Sequence, residues 1–439
     1  MSCARFAVRA RTSVALASLA SKVVTALAAT PRMPGTPSRS LLFPSLDKRA
    51  DAIPAIPAGS RAGPSTAAGC ALLNLSLPQN PVYELPLPAR VRDPAVALAA
   101  DGTYELFFTH YHGSVKRMWS DVGGYGVRAV TTRDWRTFSP PLNVTPAGFV
   151  SPDAPVHWHG SAWLAYQAYP DKALGGPRSG LFLSRQISAG WHGGRWTLPR
   201  PFLEEALDLS WNTAHRAIDP TLIVDGRGRL HCFFVGSMYL LGTAEIGQKP
   251  KKANLLGHAV TDDPTLRRWT ILSRDAPLLG VSARAPDGVE NVAVFPTSRG
   301  RYLMIYSEGL AAQHLAHAVS EDDMDTWRDL GPLALPPAAA GGWMAGRYGA
   351  PFVWREASGC YWMVLMGEYD VRTHQSAFGL LTSADGERWE LLPSKAPTVV
   401  EAEEEAVPTA SARSVEVEVP PKAEPGGDDE GDEEGEDDE

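Results

Sequence analysis

The sequence has few cysteines, no long apolar run, no basic cluster and no segment with a convincing helical repeat. Four cysteines in 439 residues, none of them in a CxxC pair, exclude a disulfide framework and a cysteine zinc site, so buried free thiols are expected. No apolar stretch reaches the roughly 20 residues that a membrane-spanning helix needs. The net charge of −9 comes largely from the acidic end of the chain, and the near-neutral body argues against nucleic-acid binding.

The two ends of the chain differ in composition from its middle. Residues 1–46 contain no Asp or Glu and carry scattered arginines, which is typical of a targeting segment. Two interpretations stay open, a secretory signal of a secreted or extracellular protein and a transit peptide for the plastid or mitochondrion. Residues 47–83 are a Pro/Ala-rich linker, and residues 396–439 form an acidic tail that we expect to be disordered because it has almost nothing to bury.

Residues 84–395 contain a repeat. Five times, at intervals of about 60 to 73 residues, a run ends in a tryptophan set among turn-forming or charged residues. Between these points the chain repeats a short apolar strand, a turn and a strand rich in aromatic and β-branched residues, as in "DPAVALAADGTYELFFT" and "DPTLIVDGRGRLHCFFV". The five tryptophans are Trp135, Trp196, Trp269, Trp327 and Trp389.

This periodicity predicts an all-β chain folded as a five-bladed β-propeller. Four strands of average length, with their turns, use about 45 to 65 residues, which fits the interval between the tryptophans. A pair of β-sandwiches would not explain five units in register. In a propeller the innermost strand of each blade begins at the mouth of the central channel, so the first residues of the five hairpins come together in space.

Carboxylates recur at that position. Reading around the ring gives Asp93, then Asp153 or Pro155, then Asp219, Glu290, and finally Ala350 or Pro351. Several carboxylates at one mouth raise one another's pKa, which costs stability. Glycoside hydrolysis uses such a set, because it needs one protonated carboxylic acid and one ionised carboxylate, and a third can tune the acid. An Asp before Pro is also a common turn residue, but two such pairs and a Glu at one blade position favour a catalytic site.

The motifs "RDPAV", "IDPTLI", "VENVAVF" and "YLMIYSEG" resemble the five-bladed propeller glycoside hydrolases of families 43 and 62, the group of arabinanases, β-xylosidases and α-L-arabinofuranosidases. Family 62 is the closer match in the middle of the chain. The resemblance covers about 310 residues in short runs. It implies an inverting reaction in which Asp93 is the general base, Glu290 the general acid, and Asp219 the group that tunes and orients that acid.

The sequence also departs from the family pattern. Asn291 and Val292 follow Glu290, where family 43 members usually have Gly-Pro, and the fifth-blade stretch "RYGAPFVW" lacks the channel-facing His found in many members. No cofactor is therefore expected, and a structural Ca²⁺ in the channel stays an open question.

Four residues are predicted to bind substrate. Arg347 would supply a guanidinium, although a single surface arginine is more often a salt-bridge partner. Trp158 and Tyr111, and with them Trp343, could stack on sugar rings, although aromatic residues in a β-rich chain are more often core. His112 would hydrogen-bond a sugar at the rim, whereas a zinc site at the His110/His112 and His157/His159 pairs lacks a third ligand.

The leading prediction is a monomeric glycoside hydrolase that acts on α-L-arabinofuranosyl or β-xylosyl linkages of an oligo- or polysaccharide. Two alternatives stay open, a catalytically silent propeller that binds glycans and a propeller that binds other proteins. A mouth with three carboxylates would favour the enzyme, and a mouth filled by apolar side chains would favour protein binding.

Overall fold

The computed structural model describes residues 78–112, 124–168, 180–188, 194–240, 250–310, 312–336 and 342–394. These residues form five antiparallel sheets of four or five strands with a single short 3₁₀ helix, Glu204–Asp208. The predicted all-β fold and five-bladed β-propeller are confirmed. The predicted targeting segment, most of the linker and the acidic tail lie outside the described residues. Within the described residues no helix is long and apolar enough to cross a membrane.

Each sheet is one blade, and its strands follow one another in sequence from the channel outward. Blade 1 consists of Ala89–Leu98, Tyr104–His112, Tyr125–Thr132 and Leu142–Asn143. Blade 2 has an inner strand in two pieces, Phe149–Val150 and Val156–Trp158, followed by Ser161–Ala168, Gly180–Arg185 and Arg200–Phe202. Blade 3 consists of Ile218–Val224, Leu230–Tyr239, Lys252–Thr261 and Thr270–Ile271. Blade 4 consists of Val289–Pro296, Tyr302–Glu308, His314–Ser320 and Arg328–Pro332.

Blade 5 closes the ring with strands from both ends of the body. Its strands Arg347–Arg355, Tyr361–Asp370 and Gln375–Ser383 are completed by Tyr83–Glu84 and Glu390–Leu391, which both pair with the third strand. Buried Asn80 joins the two ends, since its Nδ2 donates to the carbonyls of Leu380 and Leu392 at 3.0 and 3.1 Å. This closing strand begins before residue 84, on the predicted linker side of that boundary.

The five tryptophans mark equivalent turns. Each lies just before the outermost strand of its blade, as the repeat predicts. In four blades an aspartate near the start of this turn accepts hydrogen bonds from neighbouring side chains and from backbone N–H groups of the residues that follow it, and these bonds together lower its pKa. The four are Asp134, Asp263, Asp322 and Asp385.

The core consists of several clusters of apolar side chains contributed by neighbouring blades. Cys232 is buried and free, as expected. Cys360 is disulfide-bonded, so the expectation of a free thiol there is wrong. Cys3 and Cys70 lie outside the described residues.

Candidate active site

The innermost strands of all five blades share one irregularity. One residue in each has a positive φ, between 46° and 51°, and in the continuous inner strands the pairing register shifts at this point, as in a β-bulge. Such backbone is uncommon for any residue except glycine. All five residues line the mouth of the channel. These bulge residues are Asp93, Ser151, Asp219, Asn291 and Ala350.

The bulge ring refines the predicted ring of mouth residues. In blade 2 the equivalent residue is Ser151, so the expectation of Asp153 or Pro155 is wrong. In blade 5 it is Ala350, one of the two residues predicted. Glu290 directly precedes the bulge residue Asn291, so it lies one position from the place that Asp93 and Asp219 occupy in their blades. The structure thus brings Asp93, Asp219 and Glu290 to one mouth.

Asp93 is held by two hydroxyl groups. Thr109 Oγ1 donates to Asp93 Oδ2 at 2.8 Å, and Ser151 Oγ donates to the same oxygen at 3.1 Å. The Ser151 N–H in turn donates to Thr109 Oγ1 at 2.7 Å. These bonds fix the Asp93 carboxylate between blades 1 and 2.

Asp219 is buried between the other two carboxylates. Burial raises its pKa well above the ordinary value, and the charges of Glu290 and Asp93 raise it further, while Arg216 acts in the opposite direction. Its backbone N–H donates to Oε1 of buried Gln167 on the preceding blade at 2.5 Å. Both other carboxylates therefore act on Asp219.

Glu290 is oriented by two carboxamides. Asn254 Nδ2 donates to Glu290 Oε2 at 2.8 Å, and Gln313 Nε2 donates to Oε1 at 2.7 Å. Both amides are buried, and Ser237 Oγ donates to Asn254 Oδ1 at 2.7 Å, which fixes the amide orientation. Sequence analysis missed both residues because Asn254 lies on the third strand of blade 3 and Gln313 directly before that of blade 4, outside the recurring hairpin.

Arg347 forms part of an ion cluster between blades 5 and 1. Its guanidinium donates to both oxygens of Glu368 at 2.9 Å, and Arg92 donates to the same carboxylate at 2.9 Å. Burial favours the neutral form of Glu368, but the hydrogen bond from His374 and the charges of Arg92 and Arg347 outweigh it and lower the pKa to about 2. Arg347 is thus a salt-bridge partner, and its role in substrate binding stays a prediction.

Two of the predicted sugar platforms are core residues. Tyr111 is 1% exposed and packs with Tyr125 and Val150, so its ring cannot stack on a sugar. Trp158 lies at the end of its blade away from the mouth, where its Nε1 donates to the Gly228 carbonyl at 2.9 Å. Both expectations are wrong, since alternation along a strand does not show which aromatic side chains face water.

Trp343 and the predicted histidines have different outcomes. Trp343 is buried against Gly367 and Gly379, which leave room for its ring, so it too is a core residue. His112 is exposed at the mouth end of the second strand of blade 1, so its rim role stays a prediction. Burial lowers the pKa of its neighbour His110 to about 4.

The channel below the bulge ring contains a fourth carboxylate. Asp153 is buried, and its two oxygens accept the N–H groups of Ala154 and Leu222 at 2.8 and 2.6 Å. Burial raises its pKa to about 7. Among the described residues no group of three or more His, Cys, Asp or Glu is arranged to hold a metal ion, and a structural Ca²⁺ in the channel stays an open question.

Comparison with known proteins gives matches among solved structures. One match, described as a glycoside hydrolase, is 14% identical with a TM-score of 0.53 and covers 73% of this chain and 91% of that chain. A thermostable family-43 glycoside hydrolase is 14% identical with a TM-score of 0.50 and covers 72% and 97%. This chain has the fold of those glycoside hydrolases. The fold expected from the family 43 resemblance is therefore confirmed.

The other comparisons add little to this result. The α-L-arabinofuranosidase from Podospora anserina is 14% identical with a TM-score of 0.47 over 69% of this chain and 95% of that chain, so the closer resemblance to family 62 stays a prediction. No family model and no curated protein matches the chain.

Proposed function

We propose that this protein is a glycoside hydrolase that cleaves α-L-arabinofuranosyl or β-xylosyl linkages of an oligo- or polysaccharide with inversion. The observation that supports this most strongly is that Asp93, Asp219 and Glu290 come from three blades and that the charges of Asp93 and Glu290 both act on Asp219. Placing two further carboxylates beside the buried Asp219 costs stability, and acid–base hydrolysis of a glycoside is a reaction that uses such a set.

The proposed reaction assigns one role to each carboxyl group. Glu290 donates its proton to the glycosidic oxygen as the C–O bond breaks, while Asp93 removes a proton from the water that attacks the anomeric carbon from the opposite face. After the reaction Asp93 releases to solvent the proton that it gained, and Glu290 takes up a proton from solvent, so both groups return to their starting states. Asp219 tunes and orients Glu290, and Asn254 and Gln313 position the Glu290 carboxyl.

The departure at Asn291 is compatible with this proposal. Asn291 has φ 46°, in the left-handed region where Gly is the easiest residue and Asn is among the most tolerated others. The channel lining at and below the bulge ring is also largely polar or proline, with Ser151, Asp153 and Thr221 beside Asp93 and Asp219, which does not favour a protein-binding propeller.

A silent glycan-binding propeller is the second candidate. It is favoured by Ala350, which places a methyl group at the bulge position of blade 5 and leaves that blade without a polar side chain there.

The test is hydrolysis by the full chain of aryl α-L-arabinofuranoside, aryl β-xyloside, arabinan and arabinoxylan, with the anomeric product followed by proton NMR. We expect inversion on one of these substrates. Asp93→Asn and Glu290→Gln should lower kcat by a factor of about 10² or more, whereas Asp262→Asn, an exposed control at the other end of blade 3, should not. Turnover that survives both site substitutions would contradict the proposal, and saccharide binding without turnover would favour the silent propeller.

We also propose that the protein is secreted. The disulfide at Cys360 supports this, because such bonds persist in oxidising compartments. Asn143, in the sequon N-V-T, is exposed and available for glycosylation on that route. A shift in mobility on deglycosylation of the native protein, lost in Asn143→Gln, would support secretion, and import into isolated plastids or mitochondria would contradict it.

A further inference from the structure

Arginines recur around the mouth at one position. Arg90, Arg216 and Arg347 each lie three residues before the bulge residue of blades 1, 3 and 5, and the corresponding residues of blades 2 and 4 are Gly148 and Gly288. Because the inner strands are equivalent, these arginines occupy the same register position in blades 1, 3 and 5.

Two of the three have protein partners that fix them. Arg347 is held by buried Glu368 and by the Leu310 carbonyl, and Arg90 donates to the carbonyls of Thr373 and Pro88 at 3.0 Å. These two guanidinium groups are therefore satisfied within the protein.

Arg216 differs from the other two. It is partly exposed, and its guanidinium makes no ion pair or hydrogen bond within the described ranges of the chain. It lies close enough to Asp219 to act on that carboxyl electrostatically, but the two side chains are not bonded. A cation beside the catalytic candidates thus has no hydrogen-bonded or ion-paired partner among the described residues.

A second donor without an acceptor lies on the neighbouring blade 2, also next to Asp219. Gln167 is fully buried, and its Oε1 is used by the Asp219 N–H. Its Nε2 has no hydrogen-bond partner among the described residues. Buried donors are nearly always paired, by protein, water or ligand, so the seam between blades 2 and 3 has an excess of donors over acceptors next to Asp219.

We propose that the seam between blades 2 and 3 binds an anionic group of the substrate, a carboxylate or a sulfate on a sugar. Arg216 pairs with the charged oxygens, as guanidinium groups do with planar or tetrahedral oxyanions, and Gln167 Nε2 donates to a water or oxygen behind them. The inference rests on the proposed hydrolase function for the reaction, but not for the binding. It makes the substrate an acidic polysaccharide that carries uronic acids or sulfate esters.

The test compares matched ligands on the full chain carrying Glu290→Gln, so that nothing is hydrolysed. The first pair is a xylo-oligosaccharide with a glucuronic acid branch and its carboxyl-reduced form, and the second is a sulfated oligosaccharide and its desulfated form. Within each pair we measure the dissociation constant of the neutral ligand divided by that of the charged ligand, at low and at high salt.

We expect a ratio of about 10 or more for one pair at low salt, because a hydrogen bond to a charged group contributes about 1.5–3 kcal/mol. Adding Arg216→Gln should bring that ratio close to one, and Arg216→Lys should keep part of it. The control is Arg185→Gln, an exposed arginine without a partner among the described residues at the opposite end of blade 2, and it should keep the full ratio. The ligand pair that shows this ratio identifies the bound anionic group as a carboxylate or a sulfate.

A ratio near one for both pairs, or a ratio that Arg216→Gln leaves unchanged while the variant keeps the melting temperature of its parent, would overturn the inference. Hydrolysis of the neutral aryl glycosides by the wild type separates the two proposals. If the wild type hydrolyses these substrates but binds charged and neutral ligands equally, only the proposed anion site is wrong. If binding prefers the charged ligand through Arg216 but no substrate is hydrolysed, only the proposed hydrolase function is wrong.

Discussion

Replacing Glu368 by Gln tests the ion cluster that joins blades 5 and 1. The substitution keeps the shape of the side chain but removes the charge that pairs with Arg92, Arg347 and His374. The pKa of Glu368 falls from 4.5 to about 2 on folding. Because each pKa unit corresponds to about 1.4 kcal/mol, ionised Glu368 contributes about 3 kcal/mol to the free energy of unfolding at pH 7.

The sign of the pH dependence follows from the lowered pKa. An acid whose pKa falls on folding stabilises the native state above its unfolded value and loses that contribution as pH falls through the folded value. For values of 4.5 and about 2, about 1.4 kcal/mol remains at pH 3. The expected loss of stability in Glu368→Gln is therefore about 3 kcal/mol at pH 7 and about half of that at pH 3.

The assay is denaturant unfolding of the full chain at both pH values, followed by tryptophan fluorescence. Glu390→Gln, an exposed glutamate on the outermost strand of the same blade, is the matched control and should cost less than about 0.5 kcal/mol. Equal stability of Glu368→Gln and wild type at pH 7, or a loss that does not shrink at pH 3, would refute the assignment of this cluster as a net stabilising contact.

Three further predictions concern other buried polar groups. Burial raises the pKa of Asp153 from 3.8 to about 7, so its ionisation destabilises the folded state as pH rises over that range. The free energy of unfolding of Asp153→Asn should therefore rise by up to about 4 kcal/mol relative to that of the wild type between pH 4 and pH 8. A difference that does not change with pH would contradict this. Asn80→Ala removes the bonds that close the ring and should cost about 3 kcal/mol in denaturant unfolding, unlike exposed Asn143→Ala. Gln313→Met removes a hydrogen bond to Glu290, so it should lower kcat by about tenfold and shift the pH–rate profile. The loss of kcat should be smaller on substrates whose leaving group needs no proton. An equal loss on all substrates would indicate a structural role.

The repeat explains why the fold and the three carboxylates could be predicted. Asp93 and Asp219 stand at the start of hairpins that read alike, and Glu290 stands one residue before the same point in blade 4. A propeller superimposes these starts at its mouth, so equivalence in sequence becomes proximity in space. Ser151 was missed because its blade has an interrupted inner strand, and the recurring pattern there is carried by the residues after it.

The groups that hold the carboxylates could not be predicted in this way. Gln167, Asn254 and Glu368 lie on second or third strands, and each contacts a neighbouring blade. Which residue of a strand faces the next blade depends on the twist and packing of both sheets, which a single sequence does not show. The same limit explains Tyr111 and Trp158, whose type suits a sugar platform and a core equally well.

The bulge ring separates what belongs to the fold from what belongs to the site. A residue held at positive φ costs on the order of 1–3 kcal/mol unless its surroundings compensate, and such strain often marks function. Here the same backbone is found at Ala350, which has no chemistry to offer, as well as at Asp93 and Asp219. Ala350 and Ser151 are compensated alike, because their N–H groups donate to hydroxyl oxygens of the preceding blade, Ser307 and Thr109. The strain is therefore a property of how blades begin at the channel, and it does not by itself mark the catalytic candidates.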